Sequence, residues 1–91
     1  MRRLLISEHA RFEMGRRGIA EETVRQVALH PEQVVSSASG REVRQSRVED
    51  PELGRTMLLR VVAEVRAGAL FVVTAYRTSK VEKYWQAEVT P

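Results

Sequence analysis

Between Thr56 and Arg77 the chain alternates in side-chain character along two runs, with only a short break between them. On the first, Met57, Leu59, Val61, Ala63 and Val65 share one face, opposed by Leu58, Arg60, Val62 and Glu64. On the second, Leu70, Val72, Thr74 and Tyr76 alternate with Phe71, Val73, Ala75 and Arg77. A period of two puts successive side chains on opposite faces and predicts strands over Thr56–Val65 and Leu70–Arg77. Arg66-Ala67-Gly68-Ala69 joins them, with Gly68 at the bend, as a hairpin requires.

The first thirty residues follow a different period. Ser7 can cap a helix from Glu8 to about Arg17, with an acid in its first turn and Arg16-Arg17 in its last, as the helix dipole prefers. Gly18 stops it. A second helix is expected from about Glu21 to His30, ended by Pro31. Ile19 and Val24 are spaced as a hydrophobic staple around Ala20, itself a poor cap. Val24, Val27 and Ala28 form the buried stripe, and Glu22, Arg25 and Gln26 face out.

From Gln33 the period returns to two. Gln33–Ser36 reads as a short strand, Ser37-Ala38-Ser39-Gly40 as a turn, and Arg41–Val48 as a polar strand with Val43 one of its few apolar members. Glu49–Gly54 is a loop with three acids. After the hairpin, Ser79-Lys80-Val81-Glu82 has capping-box spacing, which predicts a short helical turn through Tyr84. The expected fold is α+β in one domain over residues 1–91. Two N-terminal helices pack on one face of a curved antiparallel sheet of about four strands, and a short helical turn closes the C-terminus.

Composition narrows the function classes. A chain of 91 residues without cysteine has no disulfide and no zinc–thiolate site, and suits a reducing cytoplasm. Its two histidines show no metal-ligand spacing, no glycine-rich phosphate loop is present, and no cofactor is implied. No apolar run reaches the roughly 20 residues that span a bilayer, so no membrane partner is expected. Met1-Arg2-Arg3-Leu4-Leu5-Ile6 begins like a signal peptide, but its apolar stretch is too short and reads as the opening of the folded domain. Net charge is +3, carried by thirteen arginines against two lysines. Arginine suits phosphate, so nucleic acid is a plausible partner.

Three constellations can carry chemistry. On the first helix His9, Glu13 and Arg16 lie on one stripe, where His9 can move a proton and Arg16 or Arg17 can meet a phosphate. On the strands Arg60 interrupts an apolar run, Arg77 ends the next, and Arg44 and Arg47 lie on the polar strand. On an open sheet face these would make a basic floor for a phosphodiester backbone. Near the C-terminus Tyr76, Lys80, Lys83, Tyr84 and Trp85 gather both tyrosines, both lysines and the only tryptophan. Metal-free RNA cleavage needs cations on the phosphorane and groups that move protons, and aromatic rings can stack on a splayed base. Each set also has a plainer reading. His9 pairs with Glu13 on the surface, the arginines lie over apolar neighbours with their heads in water, and the aromatics cover the end of the sheet.

Ser7-Glu8-His9-Ala10, Met14, Arg16-Arg17-Gly18-Ile19, His30-Pro31-Glu32 and Val73-Thr74-Ala75-Tyr76-Arg77-Thr78-Ser79-Lys80 together resemble a family of small bacterial proteins, domain of unknown function 4258. That family is similar to the RelE- and BrnT-like ribonuclease toxins, which join N-terminal helices to a curved antiparallel sheet. The resemblance implies a metal-independent endoribonuclease of a toxin–antitoxin system, or a degenerate relative. Its partners would be RNA, ribosome-associated mRNA included, and an antitoxin protein. The family's motif residues fall on His9, Arg16 or Arg17, and the Tyr76–Lys80 segment. In the catalytic version Arg60 and Arg77 hold the phosphate while His9 moves the proton with help from Tyr76 or Lys80. Arg16, Arg17, Lys83 and Tyr84 bind the RNA. The alternative is a non-catalytic module that binds nucleic acid or protein through the same sheet face.

Overall fold

The computed structural model describes residues 3–87. In chain order the elements are β1 (Arg3–Ile6), α1 (Glu8–Arg17), α2 (Glu21–Leu29), β2 (Gln33–Ser36), β3 (Arg41–Asp50), β4 (Arg55–Arg66), β5 (Ala69–Thr78) and α3 (Val81–Tyr84), with a 3₁₀ turn at Ala38–Gly40 before β3. The class is α+β as expected, but the sheet has five strands in the order β1-β5-β4-β3-β2. The added strand makes it mixed: β1 runs parallel to β5, with Leu4 beside Leu70 and Ile6 beside Val72. Four residues are too few for periodicity to separate a strand from the approach to a helix. The pairing partner of β1 lies more than sixty residues away in sequence.

Local signals account for the helix ends. Ser7 Oγ accepts a hydrogen bond from the Ala10 amide at 3.0 Å, satisfying a donor left over at the start of α1. Gly18 follows at φ 67°, the left-handed conformation that glycine adopts without steric cost. At the β4–β5 hairpin Ala67 and Gly68 are both at positive φ, the two-residue turn whose twist suits a tight hairpin. The acidic loop is shorter than the sequence suggests, because β3 and β4 stay paired out to Asp50 and Arg55. The Asp50 carboxylate accepts from the amides of Glu52 and Leu53 and closes the turn. At α3 the Lys80 amide bonds to Thr78 Oγ1, and no side chain caps at Lys80. The expected capping box at Ser79 is not formed.

The core lies between α1 and α2 and one face of the sheet. Ala10 and Met14 from α1, Ile19, and Val24, Val27 and Ala28 from α2 meet Leu59, Val61, Val72 and Ala75. Leu4, Ile6 and Val48 are partly buried against the same cluster. Val72 and Ala75 can both point inward because β5 carries a bulge: Val62 faces Thr74 while Ala63 faces Val72, leaving Val73 as the extra residue. The expected face of Leu70, Val72, Thr74 and Tyr76 is therefore split. Beyond the bulge Thr74 and Tyr76 turn away from the helices. Simple alternation cannot reveal this, because Val72 and Val73 are alike.

Leu59 is fully buried at the centre of this layer. Leu59→Ala is expected to lower the free energy of unfolding by about 2–5 kcal/mol, read as a lower urea midpoint at unchanged slope. Exposed Val34, truncated to alanine, is expected to stay within about 0.5 kcal/mol of the parent in the same titration.

Candidate functional site

The face turned away from α1 and α2 carries a transverse row of polar side chains, one from each of four strands. Strand register puts Gln33 beside Gln45, Gln45 beside Arg60, and Arg60 beside Tyr76. Arg60 Nε donates to Gln45 Oε1 at 2.9 Å and Arg60 Nη1 to the Tyr76 hydroxyl at 2.6 Å. Gln45 Nε2 donates to Gln33 Oε1 at 2.9 Å and to the Tyr84 carbonyl at 3.1 Å. Tyr84 comes from α3, and its ring centroid lies 4.1 Å from the Arg60 guanidinium carbon. Lys83 Nζ lies 5.2 Å from the same ring. Gln45 is fully buried and Arg60 only 9% exposed.

This guanidinium is buried yet has no carboxylate partner among the described residues; the ion pairs there involve Arg11, Arg16, Arg17, Arg25, Arg41, Arg44, Arg47 and Arg66, and His9. A buried charge is costly unless it is solvated by something. Here an amide oxygen, a phenol oxygen and an aromatic face do so, and the positive charge stays uncancelled. The Tyr76 hydroxyl accepts from a cation and so keeps its own proton free to donate.

A second group pins the C-terminal segment across the face. Glu32 accepts from the Arg47 backbone amide at 2.7 Å and from its guanidinium at 2.8 Å. The Arg47 guanidinium lies 4.4 Å from the centroid of the Trp85 ring. The Gln33 side chain bonds both polar groups of the Gln86 backbone, donating to its carbonyl at 2.7 Å and accepting from its amide at 3.0 Å. Hydrogen bonding from Arg47 holds the Glu32 carboxyl below its ordinary 4.5, and the same contact pushes Arg47 up.

The expected site residues divide between the two sides of the sheet. Arg60, Tyr76 and Tyr84 come together, with Lys83 on α3 and Lys80 just before it. Lys80, Lys83, Ser79 and Thr56 border an open cavity of about 560 Å³. His9, Arg16, Arg17 and Arg77 belong to the helix layer. His9 is exposed, with Nε2 3.7 Å from Glu13 Oε1. Arg16 pairs with Glu13, and Arg17 donates to the Ala75 carbonyl at 2.8 Å. Hydrogen bonding from Arg16, with the charges of Arg16, Arg17 and His9, keeps the Glu13 carboxyl low. Arg77 donates to the Arg17 carbonyl at 2.8 Å and tidies the end of α1. Arg77 pairs with Leu59 and Arg60 with Tyr76, so the two guanidiniums point to opposite faces. The expected clamp of Arg60 with Arg77, served by His9, is not formed. Arg44 also departs from the basic floor: it lies on the helix side, where its Nε donates to the Ala28 carbonyl near the end of α2. Gln33, Gln45 and Glu32 carry no signal of their own in the sequence. The only hint is that Gln45 and Arg60 are polar interruptions in segments that register brings together.

Residues 6–77 match the family described as Domain of unknown function (DUF4258). The match takes in most of the chain. The protein belongs to the DUF4258 family. No curated protein matches it, and no solved structure does. The DUF4258 match includes Gln33, Gln45, Arg60 and Tyr76 and stops before Lys80, Lys83, Tyr84 and Trp85.

Because the Glu32 carboxyl is lowered in the folded protein, its contact with Arg47 contributes stability above pH about 4.5, and that contribution is lost as pH falls through the lowered value. Thermal melting across this range should show Glu32→Gln melting below the parent at neutral pH, with the gap closing in acid. A gap that is constant with pH would show that the ion pair does not contribute.

Proposed function

We propose that this DUF4258 protein is a toxin-like endoribonuclease that cleaves single-stranded RNA without a metal ion, with its centre at Arg60 and Tyr76. The observation that carries the proposal is the buried guanidinium that no described carboxylate neutralises, bonded to a phenol and stacked against Tyr84. Such a cation is a ready counter-charge for a phosphodiester. In cleavage, the 2′-oxygen attacks the adjacent phosphorus and the bond from phosphorus to the 5′-oxygen breaks, leaving a 2′,3′-cyclic phosphate and a 5′-hydroxyl. Arg60 and Lys83 stabilise the charge on the phosphorane. Tyr76 gives its proton to the departing 5′-oxygen, the 2′-hydroxyl gives its proton to water, and Lys80, as a cation, adds to the charge stabilisation of the phosphorane. Tyr84 supports the splayed nucleotide. His9 takes no part. The resemblance of the sequence motifs to RelE- and BrnT-like toxins is in keeping with this reading, which would bring an antitoxin as partner.

One observation favours the alternative of a non-catalytic RNA-binding module. His9, whose side-chain type best suits proton transfer near neutral pH, lies in the helix layer on the other side of the sheet.

Cleavage of a mixed RNA in EDTA separates the two. The parent should cleave, and Tyr76→Phe, which keeps the ring, should lose about 10²–10⁴-fold in rate while still binding RNA. Arg60→Ala should lose both cleavage and affinity, with His9→Ala equal to the parent. RNA binding that weakens steeply with salt but never leads to cleavage would establish the binding module instead. Loss of cleavage in His9→Ala with activity kept in Tyr76→Phe would overturn the proposed centre.

A further inference from the structure

A second cavity, of about 290 Å³, is bordered by Arg47, Val81, Glu82, Trp85 and Ala87, and shares Val81 and Glu82 with the cavity bordered by Lys80 and Lys83. We infer that it is a nucleobase subsite selecting guanine in single-stranded RNA, an inference that rests on the RNA-directed reading of this face.

Three features carry it. The first is a fixed aromatic wall. Trp85 is stacked with Arg47, its amide donates to the Val81 carbonyl at 2.8 Å, and the next residue is doubly bonded to Gln33. A ring held this way gives a stacking surface at little ordering cost, as single-strand RNA sites require. The second is the chemistry of Glu82. It is exposed, and no cation among the described residues lies within ion-pair distance of it. A carboxylate offers two acceptor oxygens and no donor. On its pairing edge guanine alone presents two adjacent donors, N1–H and the N2 amino group. Adenine and cytosine set one donor group beside an acceptor, and uracil sets one donor between two acceptors. A bidentate carboxylate contact therefore fits guanine and meets a lone pair on the other bases.

The third feature is position. Tyr84 and Trp85 are consecutive, one over Arg60 and the other over Arg47. Glu82 and Val81 also border the neighbouring cavity that holds Lys80 and Lys83. A nucleotide can thus place its base against Trp85 and its phosphate near Lys80 and Lys83. The size of the cavity, small against typical ligand pockets, suits a single base.

Trp85 is the only tryptophan, so its fluorescence reports this cavity alone. The full chain should be titrated with the 5′-monophosphates of guanosine, adenosine, cytidine and uridine. Guanosine monophosphate is expected to quench saturably and bind about tenfold or more tighter than the others. Glu82→Gln should abolish that preference and leave the melting temperature unchanged. Equal affinities for all four, no quenching by any, or a guanine preference surviving in Glu82→Gln would overturn the subsite. RNA binding weakened by Arg60→Ala together with no base preference would overturn it while leaving the reading of the face intact. Guanine-selective quenching by a chain with no RNA affinity at low salt would support the subsite and overturn RNA as the ligand.

Discussion

The open face is organised by one buried cation. Arg60 emerges from the middle of β4 into a sheet with few charges to answer it, and its neighbours are arranged to solvate it. Gln45 offers its amide oxygen and passes its own amine to Gln33 and to the Tyr84 carbonyl. Tyr76 offers its phenol oxygen, and Tyr84 its ring. A carboxylate in place of Gln45 would have solvated the guanidinium better and cancelled its charge. An amide meets the hydrogen-bonding demand and leaves the field intact. The docking of α3 follows from the same network, since the Tyr84 carbonyl and ring are two of its members.

That network exists only because the sheet is irregular where it must be. With strict alternation through β5, Val72 and Tyr76 would share a face, and either the core would lose a valine or the phenol would be buried under the helices. The extra residue at Val73 lets Val72 face the core while Tyr76 meets Arg60 across the strands. The bulge thus serves packing on one side and chemistry on the other. Gly18 and Arg77 perform the complementary task in the helix layer, where the left-handed turn and the bond to the Arg17 carbonyl fix the end of α1.

What the sequence discloses follows from how local each cause is. Ser7, Gly18 and Pro31 act within a turn of chain, and the helix limits they predict agree with those observed to within a residue. The hairpin of β4 and β5 is legible for the same reason. β1 is not: four residues carry too little pattern, and its pairing is with a strand at the other end of the chain. The bulge at Val73 is hidden by a run of like residues. In the candidate site Arg60, Tyr76 and Tyr84 stand out by type, whereas Gln33, Gln45 and Glu32 matter only through register. His9 and Arg77 illustrate the opposite error. Both are chemically capable, but a side chain's face is set by helix phase and strand parity, and these put both on the far side of the sheet.

Charge completes the division between the faces. Formal charge totals only +3, yet its distribution is uneven. In the helix layer Glu13 and Glu21 hold Arg11, Arg16, Arg17 and Arg25 in exposed pairs. Such pairs add little stability, and two carboxylates offset only part of the charge of four guanidiniums. On the open face Glu32 and Glu64 engage Arg47, Arg41 and Arg66, while Arg60, Lys80 and Lys83 have no such partner among the described residues. Arg3, Arg55 and Arg77 also have no carboxylate partner there, but Arg60, Lys80 and Lys83 are the ones that lie near both tyrosines and the tryptophan. The count of arginines in the sequence points to α1; the pairing of those arginines points away from it.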